Sequence, residues 1–408
     1  MLKRVVLIAI SIFLLKSCAS SFHGVSKTDD TYIKDISIGL PISGLWRQNI
    51  ELYDIDKTGF FEIIVPPPRK ASDQQRRPYI FYYDNNEQKW KESEVYKYPF
   101  SKEYNYGAIA IGDINKDGFY DLVLANHERK ILILINDKKN NFEIITPIDE
   151  LFRSRTVLIE DMDGDGWLDI IALSEFFNPN QKDLKTGIMV GLNNNGIIKP
   201  IFIDGTEYIF GDSFAVGDIN GDGKKDIIIA PLTGIKELKK SIWLNDGKGK
   251  FKYLNLDIFT EREIPFFVRT GDIDGDNIDE MVFKISPLGV YGSTYLKAFK
   301  HVNGVIENIS SGLEEIKDIG VFDIADIDND GKNELGLLTK ESIIIYKYSD
   351  KKWVKSDEYK INTINDLNAV FDFKMRRQYD GSVLFVFNCA LESNTENGIK
   401  AYRMVKSK

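Results

Sequence analysis

An acidic nine-residue segment recurs six times in this chain at nearly even spacing. It begins at Asp54 (DIDKTGFFE), Asp113 (DINKDGFYD), Asp161 (DMDGDGWLD), Asp218 (DINGDGKKD), Asp272 (DIDGDNIDE) and Asp326 (DIDNDGKNE). Successive starts lie 59, 48, 57, 54 and 54 residues apart. A near-constant period of this size signals a repeat architecture, in which each unit buries its apolar faces only against its neighbours.

Each copy carries an oxygen-bearing side chain at positions 1, 3, 5 and 9. These are Asp54, Asp56, Thr58 and Glu62; Asp113, Asn115, Asp117 and Asp121; Asp161, Asp163, Asp165 and Asp169. The other three copies supply Asp218, Asn220, Asp222 and Asp226; Asp272, Asp274, Asp276 and Glu280; Asp326, Asp328, Asp330 and Glu334. Positions 1, 3, 5 and 9 of the six copies hold 21 of the 62 acidic residues. Two unit charges about 4 Å apart repel by roughly 4 kcal/mol at an effective dielectric of 20, so this crowding calls for a cation. A tight loop lets positions 1, 3 and 5 converge, and Gly at position 6, present in five of the six copies, permits the sharp reversal. In the fifth copy Asn277 stands there instead, a residue that tolerates left-handed geometry. Hard oxygen donors without Cys or His select calcium, and five or six structural ions are expected.

The loop is not an EF-hand, which needs Glu at position 12 and flanking helices. Position 12 is Leu124, Ala172 or Ile229, within the runs DLVLAN, DIIALS and DIIIAP. Such short, β-branched runs read as strands, as do GAIAIGDI and FAVGDI before the loops. Two further strand signals follow in most units, for example SIWLND and FKYLNL after the Asp218 loop. Four antiparallel strands per repeat make a propeller blade. After the sixth loop, Asp380–Gly381 lies 50 residues beyond Asp330–Gly331, in a seventh repeat with Arg376 and Gln378 at the first two acid positions. No calcium is expected there. That repeat ends at its third strand, GIKAYRMV, while residues 31–38 form an unassigned strand at the other end. The expected fold is therefore an all-β, seven-bladed β-propeller of four-stranded antiparallel blades. Calcium loops join strands 1 and 2, and the N-terminal strand closes the last blade.

The pattern strand–DxDxDGxxD–strand, with WLNDGKGKF downstream, resembles the FG-GAP or VCBS repeats of integrin-α-like β-propellers over residues 31–408. The resemblance implies calcium in the loops and recognition as the activity. Fold alone does not decide function, however.

Residues 1–17 combine a basic start with the apolar run Val5–Leu15, too short to span a bilayer comfortably. Leu15, Ser17 and Cys18 resemble the lipobox of bacterial lipoproteins, with Lys16 between the first two. Cys18 is the expected lipidation site, residues 18–30 a tether, and 31–408 a single propeller domain in the cell envelope, with the membrane contacted only through the anchor. With Cys18 lipidated, Cys389 has no disulfide partner. The formal net charge of −9 disfavours nucleic acid.

Sequence motifs for catalysis are lacking: there is no HExxH or GxSxG, and the three histidines are scattered. The expected function is a binding or scaffold module for a protein or glycan. The alternative is a carbohydrate-active enzyme, since some polysaccharide lyases use calcium-loop propellers with Lys, Arg or Tyr as base. The 2–3 and 4–1 loops, opposite the acidic ones, are longer and gather Arg69, Arg76, Arg77, Tyr104, Tyr106, Phe176, Phe177 and Tyr208. Aromatic and Arg residues on loops mark this face for a ligand.

Overall fold

The computed structural model describes residues 31–148, 152–176, 183–232, 240–255, 258–287, 294–317, 319–390 and 398–406. The signal-like segment, Cys18 and the tether lie outside these residues. The chain forms seven four-stranded antiparallel sheets. Blade 1 contains β2 (Glu51–Tyr53), β3 (Glu62–Val65), β4 (Tyr79–Asp84) and β5 (Lys89–Glu92). Blade 2 contains β6 (Ile109–Gly112), β7 (Asp121–Leu124), β8 (Leu132–Asn136) and β9 (Phe142–Ile145). Blade 3 contains β10 (Ser154–Glu160), β11 (Asp169–Ser174), β12 (Ile188–Asn194) and β13 (Ile197–Phe202). Blade 4 contains β14 (Phe214–Gly217), β15 (Asp226–Ile229), β16 (Ile242–Asn245) and β17 (Phe251–Tyr253). Blade 5 contains β18 (Glu263–Gly271), β19 (Glu280–Pro287), β20 (Tyr295–Val302) and β21 (Val305–Asn308). Blade 6 contains β22 (Phe322–Ala325), β23 (Glu334–Leu338), β24 (Ser342–Ser349) and β25 (Lys352–Lys360).

Blade 7 is assembled from both ends of the chain. It contains β26 (Val370–Arg377), β27 (Val383–Cys389) and β28 (Gly398–Lys406), and β1 (Thr31–Asp35) supplies its outer strand. Strand β1 runs antiparallel to β28, from Thr31 opposite Lys406 to Asp35 opposite Tyr402. The expected closing strand therefore forms, three residues shorter than the 31–38 read from sequence.

Alternation along each strand sends successive side chains to the two neighbouring blades. In blade 2, Val123 and Ile133 face Ile170, Ala172 and Met189 of blade 3. Leu122, Leu124, Leu132 and Leu134 turn instead toward Ile64 and Ile80 of blade 1. Both faces are covered, so these strands are buried without a polar face. Burying each such side chain stabilises the fold by about 1.5–3 kcal/mol.

The first strands of successive blades neighbour one another around the ring, and β2 meets β26 to complete it. Part of this inner ring is charged. Arg269 of blade 5 pairs with Asp372 of blade 7 at 2.8 Å, and Arg376 of blade 7 with Asp323 of blade 6 at 2.8 Å. Lys374 reaches Glu51 of blade 1 at 3.3 Å. In the seventh blade Arg376, the first loop position by sequence count, lies within the β26 ladder opposite Leu384 and turns toward Asp323. Gln378 there is buried, and Gly381 keeps the left-handed backbone at φ 80°.

Candidate metal centres

The six acidic loops each join the first strand of a blade to its second, and all six close in the same way. The first aspartate holds the backbone of its own loop. Asp113 accepts the Asp117 and Gly118 N–H groups at 2.9 and 2.8 Å, and Asp161 accepts those of Gly164 and Gly166 at 2.8 Å each. Asp54 does the same with Thr58 and Gly59, Asp218 with Gly221, Asp222 and Gly223. Asp272 serves Gly275, Asp276 and Asn277, and Asp326 serves Asn329, Asp330 and Gly331. Asn277 adopts φ 66°, so it takes the backbone role that Gly fills elsewhere.

The ninth residue is the first of the second strand and is buried in every loop. It accepts the N–H of the second loop residue: Ile55 to Glu62, Ile114 to Asp121, Met162 to Asp169, Ile219 to Asp226, Ile273 to Glu280 and Ile327 to Glu334. Burial, reinforced by the other loop acids, raises Glu62 to about 8, Asp121 to about 6, and Asp169 and Asp226 to about 7. Burial also lifts Glu280 to about 7 and raises Glu334, opposed in these two by a lysine. Carboxylate oxygens from positions 1, 3 and 9 gather within 4.8 Å of one another at the Asp54, Asp161 and Asp326 loops, as do those of Asp272, Asp274 and Asp276. These clusters can hold a metal ion. At the Asp113 and Asp218 loops, Asn115 and Asn220 stand at position 3, beside Asp117 and Asp222.

A residue outside the loops completes blades 2 to 4. Asn136, Asn193 and Asn245, at the third strand, each donate their backbone N–H to the free oxygen of the ninth aspartate, at 2.8, 2.7 and 2.8 Å. The side-chain amides of Asn193 and Asn245 also reach the preceding blade's loop, at Ile114 O (2.8 Å) and Met162 O (2.7 Å). The signal was visible as the recurring IND, LNN and LND at third-strand ends. In blades 5 and 6 a lysine comes from the third strand instead. Lys300 Nζ lies 2.5, 2.7 and 2.8 Å from Asp274, Asp276 and Glu280. Lys347 Nζ meets Asp328, Asp330 and Glu334.

On the opposite face the expected ligand residues divide. Tyr104 and Tyr106 are buried, which corrects their expected exposure: Tyr104 joins the core between blades 1 and 2, and Tyr106 lies against His127 at 4.6 Å. Arg69 stacks over Tyr106 at 5.6 Å, and Arg77 over Tyr79 at 4.2 Å with Glu92 as ion partner. Arg76 pairs with Asp73, Tyr208 is exposed, and Phe176 is half-buried. Phe177 lies outside the described residues.

Sequence reasoning missed a second group on this face, brought together from several blades. His127 contacts Glu175 at 2.8 Å, and Arg155 lies 3.5 Å from Glu175 and 2.6 Å from Asp212. Burial lowers the Arg47 pKa, and the nearby Arg69 and Arg155 guanidinium groups lower it further. Arg47 stacks over Phe371 at 4.2 Å beside a cavity of about 410 Å³, which Asp212, Phe266, Lys284 and Lys340 also line. Burial pushes Lys284 down to about 8.

Residues 113–172, 161–229 and 218–283 each match the FG-GAP-like repeat, so the middle of the chain carries FG-GAP-like repeats. Integrin alpha-7 of Mus musculus is 32% identical over 120 residues, which is 27% of this chain and 10% of the integrin. The T-cell immunomodulatory protein homolog of Plasmodium falciparum is 24% identical over 353 residues, 71% of this chain and 48% of that protein. The chain therefore spans about a tenth of the first relative and about half of the second. Among solved structures, a novel fungal alcohol oxidase of the AA5 family, in complex with copper, aligns with a TM-score of 0.56. It covers 92% of this chain and 75% of its own at 8% identity, a likeness of fold.

Proposed function

We propose that this chain is a calcium-stabilised binding module that takes a protein or glycan ligand at the mouth of the ring opposite the acidic loops. The observation that carries the reading is the cavity beside Arg47, whose volume of about 410 Å³ lies in the usual range for ligand sites. Charged groups (Arg47, Lys284, Lys340, Asp212) and aromatic faces (Phe266, Phe371) converge there from different blades. That mix suits hydroxyl-rich or charged surfaces.

The loops starting at Asp54, Asp113, Asp161 and Asp218 hold the calcium ions in this reading. Their buried ninth acids support it. Among the described residues, no Lys, Arg or His side chain forms an ion pair with Glu62, Asp121, Asp169 or Asp226, and a buried charge without a partner is costly. Bound calcium supplies the missing positive charge and ties the first strand to the second. The residues around it orient the loop through the Asp caps and the third-strand Asn.

The export and anchoring readings complete the proposal. Residues 1–17 direct the chain out of a bacterial cytoplasm, and lipid on Cys18 holds it at the envelope. Labelling with a fatty-acid analogue, lost in Cys18→Ser, tests the anchor.

The binding reading is tested on glycan and protein arrays with the calcium-loaded protein and an Arg47→Ala/Lys340→Ala variant. Capture that the variant weakens at least tenfold supports it. Capture equal in both proteins, or turnover of a polysaccharide panel, overturns it in favour of another surface or of an enzyme.

A further inference from the structure

We infer that blades 5 and 6 carry built-in cations: the ammonium groups of Lys300 and Lys347 stand in for a metal ion, and these two loops close without calcium. The inference rests on the calcium reading for the other loops. The two lysines meet the same three loop positions, 3, 5 and 9. Lys300 Nζ contacts Asp274, Asp276 and Glu280, and Lys347 Nζ contacts Asp328, Asp330 (3.3 Å) and Glu334 (3.2 Å).

The register explains why both blades do this. Met281 pairs with Phe299 and Leu335 with Tyr346. One step further along, Lys300 and Lys347 fall opposite the ninth residues Glu280 and Glu334. The same step places Ile135, Leu192 and Leu244 opposite Asp121, Asp169 and Asp226. In blade 1 it places Tyr82 opposite Glu62. So the cation is supplied at one register position, in two blades, where three others carry a half-buried aliphatic residue.

The blade 5 pair is not an ordinary surface ion pair, while Lys347 in blade 6 is more exposed, at 38%. The Lys300 side chain is 13% exposed and that of Glu280 fully buried. In both blades the ninth residue is Glu, as it also is in blade 1, where Tyr82 stands opposite. Glu, longer by one methylene than the Asp of blades 2 to 4, keeps one oxygen on the loop N–H while the other reaches the ammonium. A divalent ion among the same oxygens would share its ligands with the ammonium and repel it, so the lysine has to leave before metal enters.

The test uses the intact protein, freed of metal by chelator and then titrated with calcium by calorimetry, beside Lys300→Met and Lys347→Met variants. The expected wild-type stoichiometry is no more than four. Each variant gains one site, and without calcium Lys300→Met melts several degrees lower than wild type and recovers when calcium is added. A wild type that binds five or six ions, with variants unchanged in stoichiometry and in calcium-free melting, overturns the inference. If the wild type binds no calcium at all, the reading of the other loops fails separately. In that case a lowered calcium-free melt of Lys300→Met still supports the built-in cation, and an unchanged melt overturns it.

Discussion

In blades 2 to 4 the ninth loop residue is an aspartate whose two oxygens are both capped by backbone N–H groups, one from the loop and one from a third-strand Asn. In blades 5 and 6 it is a glutamate, held by one loop N–H and by the ammonium of a third-strand lysine. The loops themselves are nearly the same sequence and share the same caps from position 1. What differs lies some twenty residues downstream, on another strand. A metal-loop motif therefore specifies a backbone shape and a set of oxygens. Whether the charge is balanced by an ion from solution or by the chain itself is decided by the strand packed against it.

The largest expected effect is of pH on the chelated protein. Carboxyl groups near 4 in the unfolded chain titrate at about 6 to 8 in the fold at Glu62, Asp121, Asp169 and Asp226. Between these values the unfolded chain has released its protons and the folded chain has kept them, so stability falls as pH rises from about 4 to about 8. Urea melts in chelator should show higher stability at pH 5 than at pH 8, with calcium reducing the difference. Hydrogen exchange should place the loss at pH 8 in blades 1 to 4 and also in blade 5, where Glu280 titrates at about 7. Calcium should reverse the loss in blades 1 to 4 but not in blade 5, and reversal in both would break the contrast.

Next comes a reciprocal exchange. Leu244→Lys should put an ammonium opposite Asp226 and lower calcium affinity at that loop about a hundredfold, roughly 2.7 kcal/mol. Lys300→Leu should create the converse, a loop of the blade 4 kind. Calcium titrations of both variants would sharpen the comparison, and unchanged stoichiometry in both would break it. Smaller is Asn193→Ala, which removes the amide link to Ile114 O and Leu168 O. The expected cost is about 1 kcal/mol in denaturant melts, with the blade 3 loop losing more calcium affinity than the blade 5 loop. Smallest is Lys347→Met in chelator. Its side chain is 38% exposed, so the loss should stay below about 1 kcal/mol and below that of Lys300→Met.

Much of this was legible in the sequence because the repeat is long-range order written locally. Six loop starts set the blade count, Asp380–Gly381 revealed the seventh, and the unassigned strand at residue 31 announced the closure. Asn277 was readable as a left-handed residue because the other five copies carry Gly. The candidate site was less legible. Tyr104 and Tyr106 lie in a long loop, and loop position suggested exposure, but in a propeller such loops also cap the seams between blades and send aromatic rings inward. Arg47, Arg155, Glu175 and Asp212 meet only because the ring brings distant segments to one axis. Lys300 and Lys347 had a faint local signal: each interrupts an apolar strand where Ile135, Leu192 and Leu244 continue it.

The closing strand has a consequence for how the chain is made. Most strand pairs in the ring join segments that leave the ribosome within one repeat of each other, so blades 1 to 6 can assemble in order. Strand β1 emerges before the six blades, yet its partner β28 is synthesised only after all of them, with Thr31 waiting for Lys406. Contacts of such long range form slowly, and until they form a nascent chain carries unpaired strand edges. A ribosome stalled before β28 would therefore leave the oldest residues of the domain without a partner, and the earliest-made strand would be the one that reports completion.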